Sequence, residues 1–419
     1  MSDHTLERPM SEYPTRRNFL GLSSAAVAAV AFTGLTADAQ QRSSTEKAEK
    51  DHSVSDPGQE NKGLRALNPN SNMPPATDHG DVVPLWYSFD LVKKRVEEGG
   101  WTHEVTERVL PSSKDVAGVN MRLTAGSYRE MHWHTADEWA YVLYGHARVT
   151  VMHPNGEIFV GDVSEGDLWI FPAGHPHSIQ GLGPDGTEFL LVFPQGGFSE
   201  DGTMLLSAWL AHTPPEVLAK NTGLPLSSIN KFPEQPLYIF PGEVPPSLEA
   251  DKADIGLANI SKGQYTFRLK AMEPTRKSKG GEVRIVDPKV FPLSTHIVGA
   301  LVTLKPGALR ELHWHPHASE WQFWVAGKAR MTVFFPVDNA RTMDFNANDV
   351  GYVPSNAPHY IENTGDTDCV FLELFAADQF LDVSLNQWLR RVPSEMLKAH
   401  LGIDKEEAMK IPSEKLAVI

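Results

Sequence analysis

The chain reads as mainly all-β, built from two tandem β-barrels that are each followed by a short helical appendage. Three observations predict this: the sequence contains itself twice, each copy is dominated by short strand-like runs, and each copy ends in a helix-like stretch. The duplication is the strongest of them. Arg129-Glu130-Met131-His132-Trp133-His134 superposes on Arg310-Glu311-Leu312-His313-Trp314-His315 at an offset of 181, which also aligns Pro111 with Pro292, Gly118 with Gly299 and Gly126 with Gly307. One inserted residue later, an offset of 182 places Glu138-Trp139 on Glu320-Trp321, Gly145 on Gly327 and Pro176-His177 on Pro358-His359. At 179, Trp209-Leu210 meets Trp388-Leu389 and Gly223 meets Gly402. Such a period is far beyond the roughly 20–50 residues of a solenoid unit and marks two complete homologous domains. We place them at 64–235 and 236–419, divided near the Pro-rich stretch from Pro233 to Pro246.

Within each copy the β-branched and aromatic runs are short, as in Ala147–Met152, Leu168–Phe171 and Glu188–Phe193. Asn155-Gly156, Gly166-Asp167 and Gly183-Pro184 punctuate them, the spacing of a sandwich or barrel. Thr213-Pro214-Pro215-Glu216 then opens a helix, with a Thr cap and an acidic first turn, that Gly223 closes. Ser394 to Gly402 repeats the plan.

Composition narrows the function. With 41% hydrophobic and 22% charged residues the 419-residue chain is globular. Its 38 basic and 53 acidic residues give a net charge of −15 and form no long basic run, which argues against nucleic acid and anionic membranes as partners. A single cysteine, Cys369, rules out an intrachain disulfide and any cysteine-built metal cluster; in its apolar strand pattern it reads as a small core residue. Residues 1–39 carry the twin-arginine sequence Thr15-Arg16-Arg17-Asn18-Phe19-Leu20, an Ala-rich apolar run too short to span a bilayer, and the small-x-small pattern Ala37-Asp38-Ala39. The expectation is export by the twin-arginine route to a periplasmic or secreted location, with no integral span after processing. Residues 40–63 are polar and aperiodic and read as a disordered leader.

The chemistry points to the duplicated histidines. His132 and His134 are two apart, so on a strand both face one side while Trp133 faces the other. Glu138 follows after three residues, and 38 more separate it from His177. The second copy offers His313, His315, Glu320 and His359, again with 38 residues between Glu and the last His. Three imidazoles and a carboxylate form a mixed ligand set for one metal ion, two ions per chain, and a six-coordinate metal would keep two positions open. His317 sits in the one-residue insertion and reads as exposed.

His132-x-His134-x3-Glu138 with Gly145, followed by Gly166-Asp167, Pro172 and Pro176-His177, resembles the paired signature of the cupin superfamily. Two such modules make a bicupin. The surrounding text, REMHWHTADEWAYVLYGHARVTV and RELHWHPHASEWQFWVAGKARMTVF, is similar to the bicupin oxalate decarboxylases from about Leu64 to the C-terminus. That resemblance implies conversion of oxalate to formate and carbon dioxide, manganese at both sites, dioxygen as co-catalyst, and hexamers built from trimers. The alternatives are a peroxide-forming oxalate oxidase and a non-catalytic bicupin binding or storage protein; all eight ligands are present, against the latter.

The halves differ in ways that suggest a division of labour. From Phe193 to Trp209 the first half has 15 intervening residues, whereas Phe375 to Trp388 has 12. The longer segment from Gln195 to Thr203 is Gly-rich and polar, as a movable lid should be. Glu200 at its tip reads as either a solvated loop carboxylate or an acid/base group, and the family's Ser-Glu-x-x-Thr lid implies the second, with Gly202 where bacterial members usually have Ser. The second half has Glu373 in a strand where the first has Leu191, and Glu373 reads equally as a catalytic carboxylate or a hydrogen-bonded support. Arg129 and Arg310 precede each first ligand by three residues; that odd spacing points them away unless the strand bends. The resemblance implies that they bend into the pocket and bind the substrate carboxylate.

Overall fold

The structure, a computed structural model, describes residues 61–71 and 74–419. The expected signal segment and nearly all of the expected leader lie outside the described residues; the helix Lys62–Leu67 starts at the leader's last positions. Among the described residues no helix is long and apolar enough to cross a membrane.

In the first barrel every strand pairing is antiparallel, within one twelve-stranded sheet. Its spine is Glu138–Met152, whose first half pairs with Leu168–Phe171 and Thr187–Phe193 and whose second half pairs with Ile158–Ser164 and His177–Gly181. One strand thus serves both walls of the barrel, and it turns the corner at Gly145. There φ is +74°, and a Cβ would lie 2.0 Å from the Gly186 carbonyl oxygen, so only glycine fits. The second barrel turns the same corner at Gly327, but its sheet divides there into Glu320–Ala326 and Lys328–Phe335.

The barrels exchange edge strands. Trp86–Ser88 pairs with Asp349–Gly351 of the second barrel, while Thr266–Phe267 pairs with Leu168–Trp169 of the first. Beyond the expected boundary at 235/236, Ile239–Phe240 still adds to the first barrel, beside Tyr128–Arg129. A continuous apolar cluster carries Trp139, Leu190 and Val192 of the first barrel together with Trp321, Phe371 and Leu374 of the second. Cys369 is buried within it.

The helical appendages differ in detail from expectation. Leu206–Ala211 is a helix that strand-and-turn reading overlooked, because it directly follows the short strand Met204–Leu205. Thr213 does not cap the next helix; its hydroxyl donates back to the Trp209 carbonyl, and Pro215–Thr222 starts without a side-chain cap. Gly223 and Gly402 close their helices in the left-handed conformation. Ser394–Leu401 forms as the repeat predicts.

The repeat glycine Gly118 has a packing reason. A Cβ built there lies 2.5 Å from the indole of Trp321, which is fully buried from the opposite barrel. Gly118→Ala is therefore expected to destabilise the protein by about 1–3 kcal/mol, the usual cost of overpacking. Calorimetry should show a lower melting temperature, and an unchanged one would mean that Trp321 has room to move.

Candidate metal centres

Each ligand set is assembled by strand register. His132, on Tyr128–Trp133, lies directly opposite His177, the first residue of the neighbouring strand. His134 stands just past the end of its strand, and Glu138 opens the long spine strand. In the second barrel His313 opposes His359 in the same way. The ligand atoms of His132, His134, Glu138 and His177 lie within 4.8 Å of one another, as do those of His313, His315, Glu320 and His359. All eight residues are buried.

The hydrogen bonds assign the ring nitrogens. Nδ1 of His132, His134 and His177 donates to the carbonyls of Glu130, Ala136 and His175 at 2.6, 2.7 and 2.8 Å. Nδ1 of His313, His315 and His359 donates to Glu311, Leu381 and Ala357. A neutral ring that carries its proton on Nδ1 bears a lone pair on Nε2. Those lone pairs converge: Nε2 of His132 and His177 stand 3.0 Å apart, and Glu138 Oε2 lies 3.2 Å from His134 Nε2. Burial, reinforced by Arg129, holds His132 well below the ordinary imidazole range, so protonation does not relieve the clash. In the second set Nε2 of His313, His315 and His359 and Oε2 of Glu320 have no hydrogen-bond partner. Buried lone pairs aimed at one another and unsatisfied are the signature of a cation site, and both sets fit one.

The other carboxylate oxygen is held from outside. Trp169 Nε1 donates to Glu138 Oε1 at 3.0 Å, while Gln322 Nε2 donates to Glu320 Oε1 at 2.6 Å.

Both arginines enter the barrels. The bend that odd spacing demands is a register shift between Arg129 and His132, repeated between Arg310 and His313. Each guanidinium then meets a different carboxylate. Arg129 Nη2 is 3.0 Å from Glu200 Oε2, delivered by the lid, where Glu200–Gly202 forms a single 3₁₀ turn. Arg310 is paired with Glu373 of its own barrel wall at 2.8 Å and with Asp382 at 3.1 Å. Against the effect of burial, those two carboxylates hold Arg310 even more firmly charged than a free guanidinium. Leu191 occupies the wall position of Glu373 in the first barrel, which leaves Arg129 to the lid. His317 is exposed, outside the ligand set, and bonded to the Gln379 carbonyl.

Comparison with known proteins agrees with this geometry. The cupin family model matches residues 91–228 and 267–409. Oxalate decarboxylase OxdC of Bacillus subtilis (strain 168) is 49% identical over 352 residues, covering 84% of this chain and 91% of its own length. A probable oxalate decarboxylase of Arthroderma benhamiae is 40% identical over 366 residues, 86% of this chain and 90% of that one. A solved structure concerned with the Mn(II) centres of Bacillus subtilis oxalate decarboxylase superposes with a TM-score of 0.83 at 48% identity, covering 86% of this chain and 95% of that one. The chain belongs to the bicupin oxalate decarboxylases.

In this bicupin, sequence reasoning missed Tyr238. Its hydroxyl donates to Glu200 Oε2 at 2.7 Å, its ring lies under the Arg95 and Arg129 guanidinia, and its φ is +56°. The repeat gave a signal: at an offset of 179 the equivalent residue is Ala417, also at positive φ, and the carbonyl of each accepts the backbone amide of a site-strand glutamate, Glu130 or Glu311. Glu130 was also overlooked. Its carboxylate accepts the amides of Ser207, Leu237 and Tyr238, and so ties the helical appendage and the Tyr238 loop to the site strand.

Two sets of ligands lead to a direct test by metal analysis. Glu138→Gln and Glu320→Gln should each reduce the protein from two ions per chain towards one. A variant that keeps both ions would show that its carboxylate is dispensable for binding.

Proposed function

We propose that the chain decarboxylates oxalate to formate and carbon dioxide at the first-barrel site, with manganese at both sites and dioxygen as co-catalyst. The observation that carries this reading is the Glu200–Arg129 pair, closed by the lid over the ligand set of the first barrel alone. His132, His134, Glu138 and His177 would hold the catalytic ion, and their mixed nitrogen and oxygen donors suit manganese. Bound there, manganese with dioxygen supplies a one-electron oxidation that weakens a carbon–carbon bond whose heterolysis would leave an acyl carbanion.

The protein's own groups then do three things. Arg129, buried and free of any wall carboxylate, binds a substrate carboxylate and offsets negative charge as carbon dioxide departs. Glu200 takes the proton of the oxalate monoanion and returns it to the remaining carbon. The C–C bond is exchanged for a C–H bond, so monoanion becomes formate and carbon dioxide with no net oxidation. Phe198, stacked on Phe193 at 3.5 Å and set edge-on to His134, closes the apolar side of the site against water. At the second site Arg310 is engaged by Glu373 and Asp382 together, which supports a structural or subsidiary role there.

Two further parts of the reading rest on other features. The twin-arginine sequence supports export to a periplasmic or secreted location. Trp209 and Trp388, repeat-equivalent and more than half exposed, and an apolar groove of about 640 Å³ lined by Met131, Leu210, Leu237 and Phe240 support self-association, with the family's hexamer as the expected state. Light scattering of the purified protein decides between hexamer and monomer.

The decisive measurement is formate and peroxide produced from oxalate under air, alongside metal content. Glu200→Gln keeps size and hydrogen bonding but shuttles no proton, so formate production should fall by roughly 10²–10⁴-fold, with residual turnover shifted towards peroxide. Full formate activity in a manganese-loaded Glu200→Gln protein would remove Glu200 from the chemistry. For the division between sites, Glu138→Gln should abolish turnover, whereas Glu320→Gln should retain it once normalised to first-site metal. The opposite pattern would assign catalysis to the second barrel.

A further inference from the structure

The lid tip is fastened by two different kinds of contact. The Glu200 side chain is held by Arg129 and Tyr238, both partners that it must release to exchange a proton with substrate. The Glu200 backbone is held separately: its amide donates to Glu104 Oε2 at 3.2 Å. Glu104 lies on Gly100–Val105, a strand of the barrel wall that pairs along its whole length with Ala117–Leu123. A cavity of about 150 Å³, lined in part by Arg95, Thr102, Glu104 and Asp201, adjoins the tip, so close packing does not fix the backbone there.

We propose that Glu104 is the latch of the lid, a positioning residue whose carboxylate holds the Glu200 backbone in place while the Glu200 side chain changes partners. This rests on Glu200 as the acid/base group. The ends of the lid are secured independently of Glu104. Gly196 bonds through its amide to the Lys114 carbonyl, Phe198 stacks on Phe193, and Met204–Leu205 pairs with His132–Trp133. Between them, among the described residues, Glu104 accepts the hydrogen bond that the tip backbone makes to the wall, while the Arg95–Asp201 pair at 3.7 Å is solvent-exposed and touches only the Asp201 side chain. The internal repeat supports a dedicated role. The residue equivalent to Glu104 at an offset of 181 is Ile285, in a barrel with the shorter connection, where Asp382 is instead bound by Arg276, Arg310 and Lys415. The acceptor and the longer lid occur in the same half.

A loosened latch leaves metal binding intact but lets the tip leave the site, so that proton return to carbon fails and dioxygen takes the two electrons instead, giving a second carbon dioxide and peroxide. The test uses the full-length, manganese-loaded protein with Glu104→Ala, Glu104→Gln and Glu200→Gln, and a Glu104→Ala/Glu200→Gln double variant. The expected result for Glu104→Ala is unchanged metal content, a formate kcat lowered roughly tenfold, as befits loss of one hydrogen bond to the backbone, and a higher peroxide-to-formate ratio. Hydrogen exchange of residues 198–203 should quicken in the same variant. Glu104→Gln, which still offers an acceptor oxygen, should stay near wild type in all four readouts. The double variant should be no worse than Glu200→Gln alone, because a latch acts only through the group it positions. Wild-type exchange and product ratio in Glu104→Ala would overturn the latch, as would equal losses in Glu104→Ala and Glu104→Gln. If Glu200→Gln itself keeps full formate activity, the acid/base reading fails, and the lid exchange rates still report whether Glu104 holds the backbone.

Discussion

The six imidazole rings of the two ligand sets have their Nδ1–H groups committed to backbone carbonyls, and much of the structure follows from that. A ring anchored in this way has its tautomer and orientation fixed before any ion arrives, and its Nε2 lone pair is aimed inward. The barrel register brings His132 against His177 and His313 against His359. The fold therefore stabilises, through its sheets and core, an arrangement of buried lone pairs that would repel one another without a cation. One inserted residue between His315 and Glu320 is accommodated by changing a carbonyl. His134 uses Ala136, two residues on, whereas His315 reaches across to Leu381. The geometry of the ligand set survives because the anchor is exchangeable and the lone-pair direction is not.

The two barrels separate in the partner given to a buried arginine. A guanidinium inside a barrel needs a carboxylate, since an unpaired buried charge is costly. In the second barrel that carboxylate is built into the wall as Glu373 and joined by Asp382, so Arg310 is permanently satisfied. In the first barrel the wall position is Leu191, and satisfaction comes from Glu200 on a lid. A partner on a loop can move aside without breaking a sheet, whereas one in a paired strand cannot. Beside nearly the same ligand set, one barrel pairs its arginine with a loop carboxylate and the other with a carboxylate of its own wall.

The sequence was enough for the duplication, the barrel class and the eight candidate ligands, because these are written in local spacing and in a repeat offset. His-x-His on a strand puts two rings on one side by backbone geometry alone, and the repeat supplied a second instance of each residue. The lid was legible for the same reason, as an excess of residues in one copy. What tertiary structure decided depends on register between segments far apart in the chain. The exchange of Trp86–Ser88 and Thr266–Phe267 between barrels leaves no local mark, because an edge strand looks the same whichever sheet it joins. Tyr238 reaches Glu200 from across the expected boundary, and Glu104 meets the Glu200 amide across 96 residues of chain. Whether Glu373 is a catalytic carboxylate or a hydrogen-bonded support was undecidable from its strand pattern; the pairing of Ala300 with Glu373 and the bulge ahead of His313 place it against Arg310. Periodicity says which side of a strand a residue occupies, and only the closed barrel says what stands opposite.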